Sequence, residues 1–135
     1  MAGYSGTPLP KKLGIKEEHS VAFPGAPAGF AGTLGALPDS VTVRSRAAGA
    51  LDVIVFFTRR RAELERRFDG LKRALVPTGG LWIAWPKRAS GVETDITEDV
   101  VRAIALERGL VDNKVCAINA TWSGLRLVYR LADRP

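Results

Sequence analysis

The apolar positions fall into two alternating periods. Leu51–Phe57 (LDVIVFF) is apolar on both faces, as a strand in the middle of a covered sheet must be. Leu81-Trp82-Ile83-Ala84-Trp85-Pro86-Lys87 is a second such run, entered through the turn residues Pro77-Thr78-Gly79-Gly80. Between them, Leu64, Phe68, Leu71 and Leu75 are spaced i, i+4, i+7 and i+11, which predicts a helix over residues 62–76 that Pro77 stops. A second helix starts at Thr97, a capping residue followed by Glu98 and Asp99, and points Val100, Val101 and Ile104 inward. Gly109 ends it, with Leu110 covering the last turn. Residues 114–119 then read as a strand, 120–124 as a turn, and 125–131 as a strand of period 2.

The amino-terminal half is weaker. Residues 1–10 form an arm without periodicity, and residues 9–13 one helical turn ending at Gly14. Residues 16–20 are a polar turn, 21–23 a first strand, 30–37 a short helix holding two glycines, and 41–43 a second strand. The predicted architecture is one α/β domain over residues 1–135. It is Rossmann-like, with a mostly parallel sheet of about six strands, helices on both faces and an antiparallel C-terminal hairpin. One link strains this layout. Residues 44–50 reach roughly 23 Å, whereas a parallel crossover ordinarily takes about a dozen residues. A strand and its helices are therefore expected to have been trimmed here.

Charge adds a basic balance: 20 Lys and Arg against 14 Asp and Glu, net +6. That attracts anions in general and identifies none. One Cys and one His rule out an internal disulfide and a standard structural zinc site. Cys116 falls mid-strand and reads as buried and inert, and His19 sits on a polar turn. No apolar leader or run of about 18 apolar residues occurs, so the expected location is cytoplasmic, with no membrane partner.

Ligands of a doubly wound sheet bind outside the carboxyl ends of its strands. Four segments ending at Phe23, Phe57, Trp85 and Asn119 are expected to meet along one such rim. The candidate ligand-binding residues there are Gly25, Arg59, Arg60, Lys87, Asp95, Asn119, Trp122 and Ser123. Arg59, Arg60 and Arg61 open a helix, where each cation opposes the dipole by ~0.3–1 kcal/mol; either an anion or acidic partner sits nearby, or Arg59 and Arg60 lie before the helix, splayed into water. Lys87 could hold an anion and Trp122 could stack on a ring. No nucleophile elbow or catalytic triad is visible, so no catalytic residue is assigned.

The Leu75-Val76-Pro77-Thr78-Gly79-Gly80-Leu81 stretch resembles the helix-to-strand turn of S-adenosylmethionine-dependent methyltransferases. The closing hairpin, and Leu13-Gly14-Ile15-Lys16 before Val21, are similar to elements of that superfamily too. The resemblance implies a trimmed methyltransferase-like topology. It also implies a glycine turn after the first strand and an acid after the second, to hold the cofactor. Here Pro27 interrupts the first loop, and Arg44 and Arg46 stand where the acid would be. The leading expectation is thus a non-catalytic binding or regulatory protein, with no cofactor, that recognises an anionic small molecule or acidic partner at the rim. The alternatives are a divergent methyltransferase that binds S-adenosylmethionine, and weak, non-specific nucleic-acid binding. Separately, Gly3-Tyr4-Ser5-Gly6-Thr7-Pro8-Leu9, Trp85-Pro86-Lys87, Thr97-Glu98-Asp99-Val100-Val101-Arg102 and Thr121-Trp122-Ser123-Gly124-Leu125-Arg126 resemble a family of small bacterial proteins known only as a domain of unknown function. That resemblance implies a compact fold and supplies no site residues.

Overall fold

The computed structural model describes residues 6–134. Its elements in chain order are α1 (Leu9–Lys12), β1 (Ser20–Ala22), α2 (Phe30–Leu34), β2 (Thr42–Arg44), β3 (Leu51–Phe57), α3 (Arg61–Ala74), β4 (Leu75–Pro86), α4 (Glu98–Glu107), β5 (Leu110–Ala117) and β6 (Trp122–Tyr129). The strands form one six-stranded sheet in the order β2-β1-β3-β4-β6-β5. β1 is parallel to β2 and β3, and β3 to β4. β6 is inserted antiparallel between β4 and β5. The mixed α/β sheet of six strands with a C-terminal hairpin is as the hydrophobic pattern predicts.

The two periods in the sequence build two cores, one on each face. Leu51, Ile54 and Phe56 of β3 pack with Leu64, Phe68 and Leu71 of α3 and Val101, Ile104 and Ala105 of α4. Val53, Val55 and Phe57 point the other way, into Leu13, Ile15, Phe30 and Leu34 beside α1 and α2. Phe68 is fully buried, which stabilises by about 2–3 kcal/mol before entropy is counted. The Trp82 side chain is also fully buried, and its indole N–H donates to the Leu13 carbonyl at 3.0 Å, tying α1 to the sheet. Among the described residues no helix is long and apolar enough to cross a membrane.

Several boundaries differ from the expectations, each for a physical reason. The helix expected over 62–76 ends at Ala74, and β4 begins at once at Leu75. Pro77 therefore does not stop the helix. It lies in an extended bulge, because Leu51 pairs with Leu75 while Val53 pairs with Gly80. Gly79 is required in that bulge: a Cβ there would come within 2.6 Å of the Asp52 carbonyl oxygen. α2 stops at Leu34, short of Leu37, because Gly35 turns out of the helix at φ 76°. β5 starts at Leu110, earlier than residue 114, and β6 starts at Trp122 inside the expected turn. Of the arm, residues 1–5, with Tyr4 and Ser5 of the first motif, lie outside the described residues. Its end is docked, with Pro10 buried and Leu9 packed on the second core.

The strained link is resolved by register. β2 lies beside β1, with Arg44 opposite Ala22, and Ala22 opposite Ile54 of β3. The chain must step back only to Leu51, three residues or roughly 10 Å, and sideways by two strand spacings, roughly 9.6 Å. Residues 45–50 span that without a helix, and Ala47 packs on the first core where a crossover helix would otherwise lie.

Candidate functional site

The carboxyl ends of the strands do lie along one rim. The Phe57 amide donates to the Pro24 carbonyl at 3.0 Å, the Thr58 amide to Ala84 at 3.0 Å, and the Lys87 amide to Thr121 at 2.7 Å. Each bond stitches one strand end to the next.

The loop after β1 is shaped by two glycines in the left-handed region, Gly25 (φ 75°) and Gly29 (φ 84°). Among the described residues, the amides of Gly25, Ala28 and Gly29 have no acceptor. Pro27 lacks a donor, yet its carbonyl accepts from Phe30 at 3.1 Å and closes the turn into α2. Against this loop lies an apolar groove of about 440 Å³, lined among others by Phe23, Pro27, Phe30, Leu34, Leu37 and Val43. Among the described residues no carboxylate lines it. Its inner wall continues into a row of edge-on aromatic contacts: Phe23 to Phe30 at 5.3 Å, Phe30 to Phe57 at 4.9 Å, and Phe57 to Trp122 at 5.2 Å. Such contacts stabilise by about 0.5–1.5 kcal/mol each beyond the area they bury.

The candidate residues separate into two groups. Gly25 and Trp122 both meet Phe57. Asn119 shapes the hairpin that presents Trp122: its side-chain oxygen accepts from the amides of Thr121 and Trp122, both at 2.8 Å. Ser123 sits within β6 opposite Trp85 and Ala117. Lys87 is half-buried, and its carbonyl accepts from the Ser90 hydroxyl at 2.6 Å.

Arg59, Arg60 and Asp95 form the second group. The Asp95 carboxylate accepts from the Arg61 amide at 2.7 Å, so it caps α3 from a distant loop. The Thr94 hydroxyl donates to the Arg59 carbonyl at 2.7 Å. Arg59 and Arg60 thus lie exposed before the helix, and the negative charge at its start is supplied by the chain's own Asp95. Glu93 joins Asp95 in lining the small hollow beside Arg59 and Arg60. Asp95 does not open α4. That helix is capped by Thr97, whose hydroxyl accepts from Val100 at 3.2 Å. Buried Thr58 shapes the turn before α3, donating to the Glu63 carboxylate and accepting from the Arg60 amide at 3.2 Å.

In the sequence Phe23 ends a predicted strand and Phe30 opens a predicted helix, and neither pattern shows the groove between them. Its signal was the pair of aromatics bracketing a glycine loop. Cys116 is buried, and its thiol pKa is pushed up by desolvation against the opposing pull of Lys12 and Lys114.

No family model matches the chain, and no curated protein matches it. The resemblance to the small bacterial family is thus neither strengthened nor corrected. Solved structures do match over nearly the whole chain. A candidate type 11 methyltransferase from Sulfolobus solfataricus matches 100% of this chain and 97% of its own, at 15% identity and a TM-score of 0.66. The DhpI–SAH complex matches 94% of this chain and 84% of its own, at 10% identity and a TM-score of 0.64. A SAM-dependent methyltransferase from Aquifex aeolicus matches 87% and 85%, at 19% identity and a TM-score of 0.61. The fold is methyltransferase-like. These matches overturn the leading functional expectation, a non-catalytic protein recognising an anion or acidic partner at the rim. The methyltransferase alternative fits them better, and Asp95 removes the electrostatic argument for the former.

Proposed function

We propose that the chain is a divergent methyltransferase that binds S-adenosylmethionine at the groove beside the β1–α2 loop. The observation that carries this reading is the loop itself: two left-handed glycines and three amides without an acceptor among the described residues, beside an aromatic-lined groove at the carboxyl end of β1. The groove's volume and apolar lining suit a purine, with Phe23 and Phe30 against the ring. The amides of Gly25, Ala28 and Gly29 would meet polar atoms of the cofactor. Pro27 costs the loop one donor and leaves these three. The provision for the ribose departs from the superfamily's pattern, because Arg44 ends β2, Arg46 follows it, and among the described residues no acid lines the groove. Backbone carbonyls of the loop would have to accept from the ribose hydroxyls.

When bound, the cofactor supplies a methyl group on a positively charged sulfur. The chain's contribution is to hold it in an apolar groove with its polar end on backbone donors. A cavity of about 440 Å³ behind Trp85, lined by Arg88, Glu93 and Thr94, is open at the same rim for an acceptor. Under this reading the small bacterial family with the same four motifs would share the groove.

Calorimetric titration of the purified chain with S-adenosylhomocysteine and S-adenosylmethionine tests the proposal. The expected result is saturable binding of at least one, weakened roughly tenfold or more by Phe30→Ala. Absence of heat with both ligands at millimolar concentration overturns it.

A further inference from the structure

Another cavity lies at the opposite end of the sheet, near the amino-terminal part of β3 and the bulge of β4. It measures about 290 Å³ and is lined by Lys16, His19, Asp52, Thr78 and Arg126, with Gly14 at its edge. Four of these five side chains can donate hydrogen bonds, and two carry a fixed positive charge.

Arg126 is the unusual member. It is half-buried in β6, and its guanidinium occupies the space that a side chain on Gly80 would need. Among the described residues its guanidinium makes one hydrogen bond, a long one, 3.4 Å to the Asn113 side-chain oxygen. Among the described residues no carboxylate lies within ion-pair distance of it. Burial, and secondarily the like charge of Arg134, pulls its pKa down. A guanidinium held out of water without an anion is costly, and its planar fork suits an oxyanion.

The neighbours complete a donor set. Lys16 is exposed and forms no ion pair among the described residues. His19 accepts the Lys16 amide on Nδ1 at 3.1 Å, so in the neutral ring the proton sits on Nε2, which is left as a donor. Among the described residues Asp52 is the single carboxylate lining the cavity, and one of its oxygens accepts from the Ser20 amide at 2.8 Å. One negative charge thus faces two positive ones.

We infer that this cavity is a binding site for a small metabolite carrying an oxyanion, a phosphate or a carboxylate, held between Arg126 and Lys16. It sits at the far end of the sheet from the β1–α2 groove, so it stands or falls independently of the methyltransferase reading.

The test is an NMR titration of the full chain with inorganic phosphate and with malonate, at ionic strength fixed with chloride. Saturable shifts are expected at the Arg126 side-chain Nε and at the amides of Lys16, His19 and Thr78. Affinity should fall roughly tenfold or more in Lys16→Gln and in Arg126→Gln. Response to phosphate alone assigns a phosphoryl ligand, and to malonate alone a carboxylate. Lys16 is exposed, so Lys16→Gln keeps the test open should Arg126→Gln fail to fold. Shifts no larger than those from chloride, or an affinity unchanged in Lys16→Gln, would overturn the inference.

Discussion

Gly25 is pressed against the end of β3: a Cβ on it would stand 2.5 Å from the Phe57 carbonyl oxygen. The same strand end holds the loop from the other side, through the Phe57 amide and the Pro24 carbonyl. Gly25→Ala would add a backbone overlap to a left-handed φ, and should destabilise the fold by about 2–3 kcal/mol. Gly29→Ala meets nothing within 4 Å and bears only the conformational term, about 1 kcal/mol. Urea unfolding of the two variants separates them, and equal effects would show that the loop is not pinned at Phe57.

Asp95 caps a helix to which it does not belong. Asp95→Ala should cost about 0.5–2 kcal/mol by loss of the bond to the Arg61 amide, and should free the first turn of α3. Hydrogen exchange of the Arg61 amide is the direct readout. If that amide exchanges at the wild-type rate, the cap is not operating in solution.

Trp82→Phe keeps an aromatic ring in the second core but removes the donor to Leu13. The carbonyl left behind is buried, so a loss of about 1–3 kcal/mol is expected. The measurement is the urea midpoint, with faster exchange in residues 9–13 as the companion sign.

Burial raises the Cys116 thiol pKa, so above the thiol's unfolded value the native chain holds a proton that the unfolded chain releases. Stability should therefore decline as pH rises past about 8.5. The decline should be weaker in Cys116→Ala. Below that pH the thiol should react with alkylating reagents far more slowly than in the unfolded chain.

How much of this was legible depended on where each interaction is encoded. β3 was readable to the residue because both its faces are buried and the apolar pattern is continuous. The start of α4 was readable because Thr97 caps its own helix. The start of α3 was readable to within one residue, 62 against Arg61, but its cap was not, because Asp95 lies 34 residues away. The bulge at Pro77 was hidden for a similar reason: its extended course is set by pairing with β3, whereas Pro-Thr-Gly-Gly alone specifies only a turn. The link after β2 is short for a parallel crossover in the sequence, and only the register, which places Arg44 level with Ile54, shows how it closes. At the candidate site, the rim of four strand ends followed from the alternation of elements. The groove did not, because it depends on Phe23 and Phe30 coming together across a glycine loop.

The central claim is that the β1–α2 loop receives an adenosyl cofactor. Amide NMR of the isotope-labelled chain with added S-adenosylhomocysteine tests it most directly. Saturable shifts centred on Gly25, Ala28, Gly29 and Phe30 are expected, with little change at Arg126. No shifts at millimolar ligand, or shifts centred away from this loop, would contradict it.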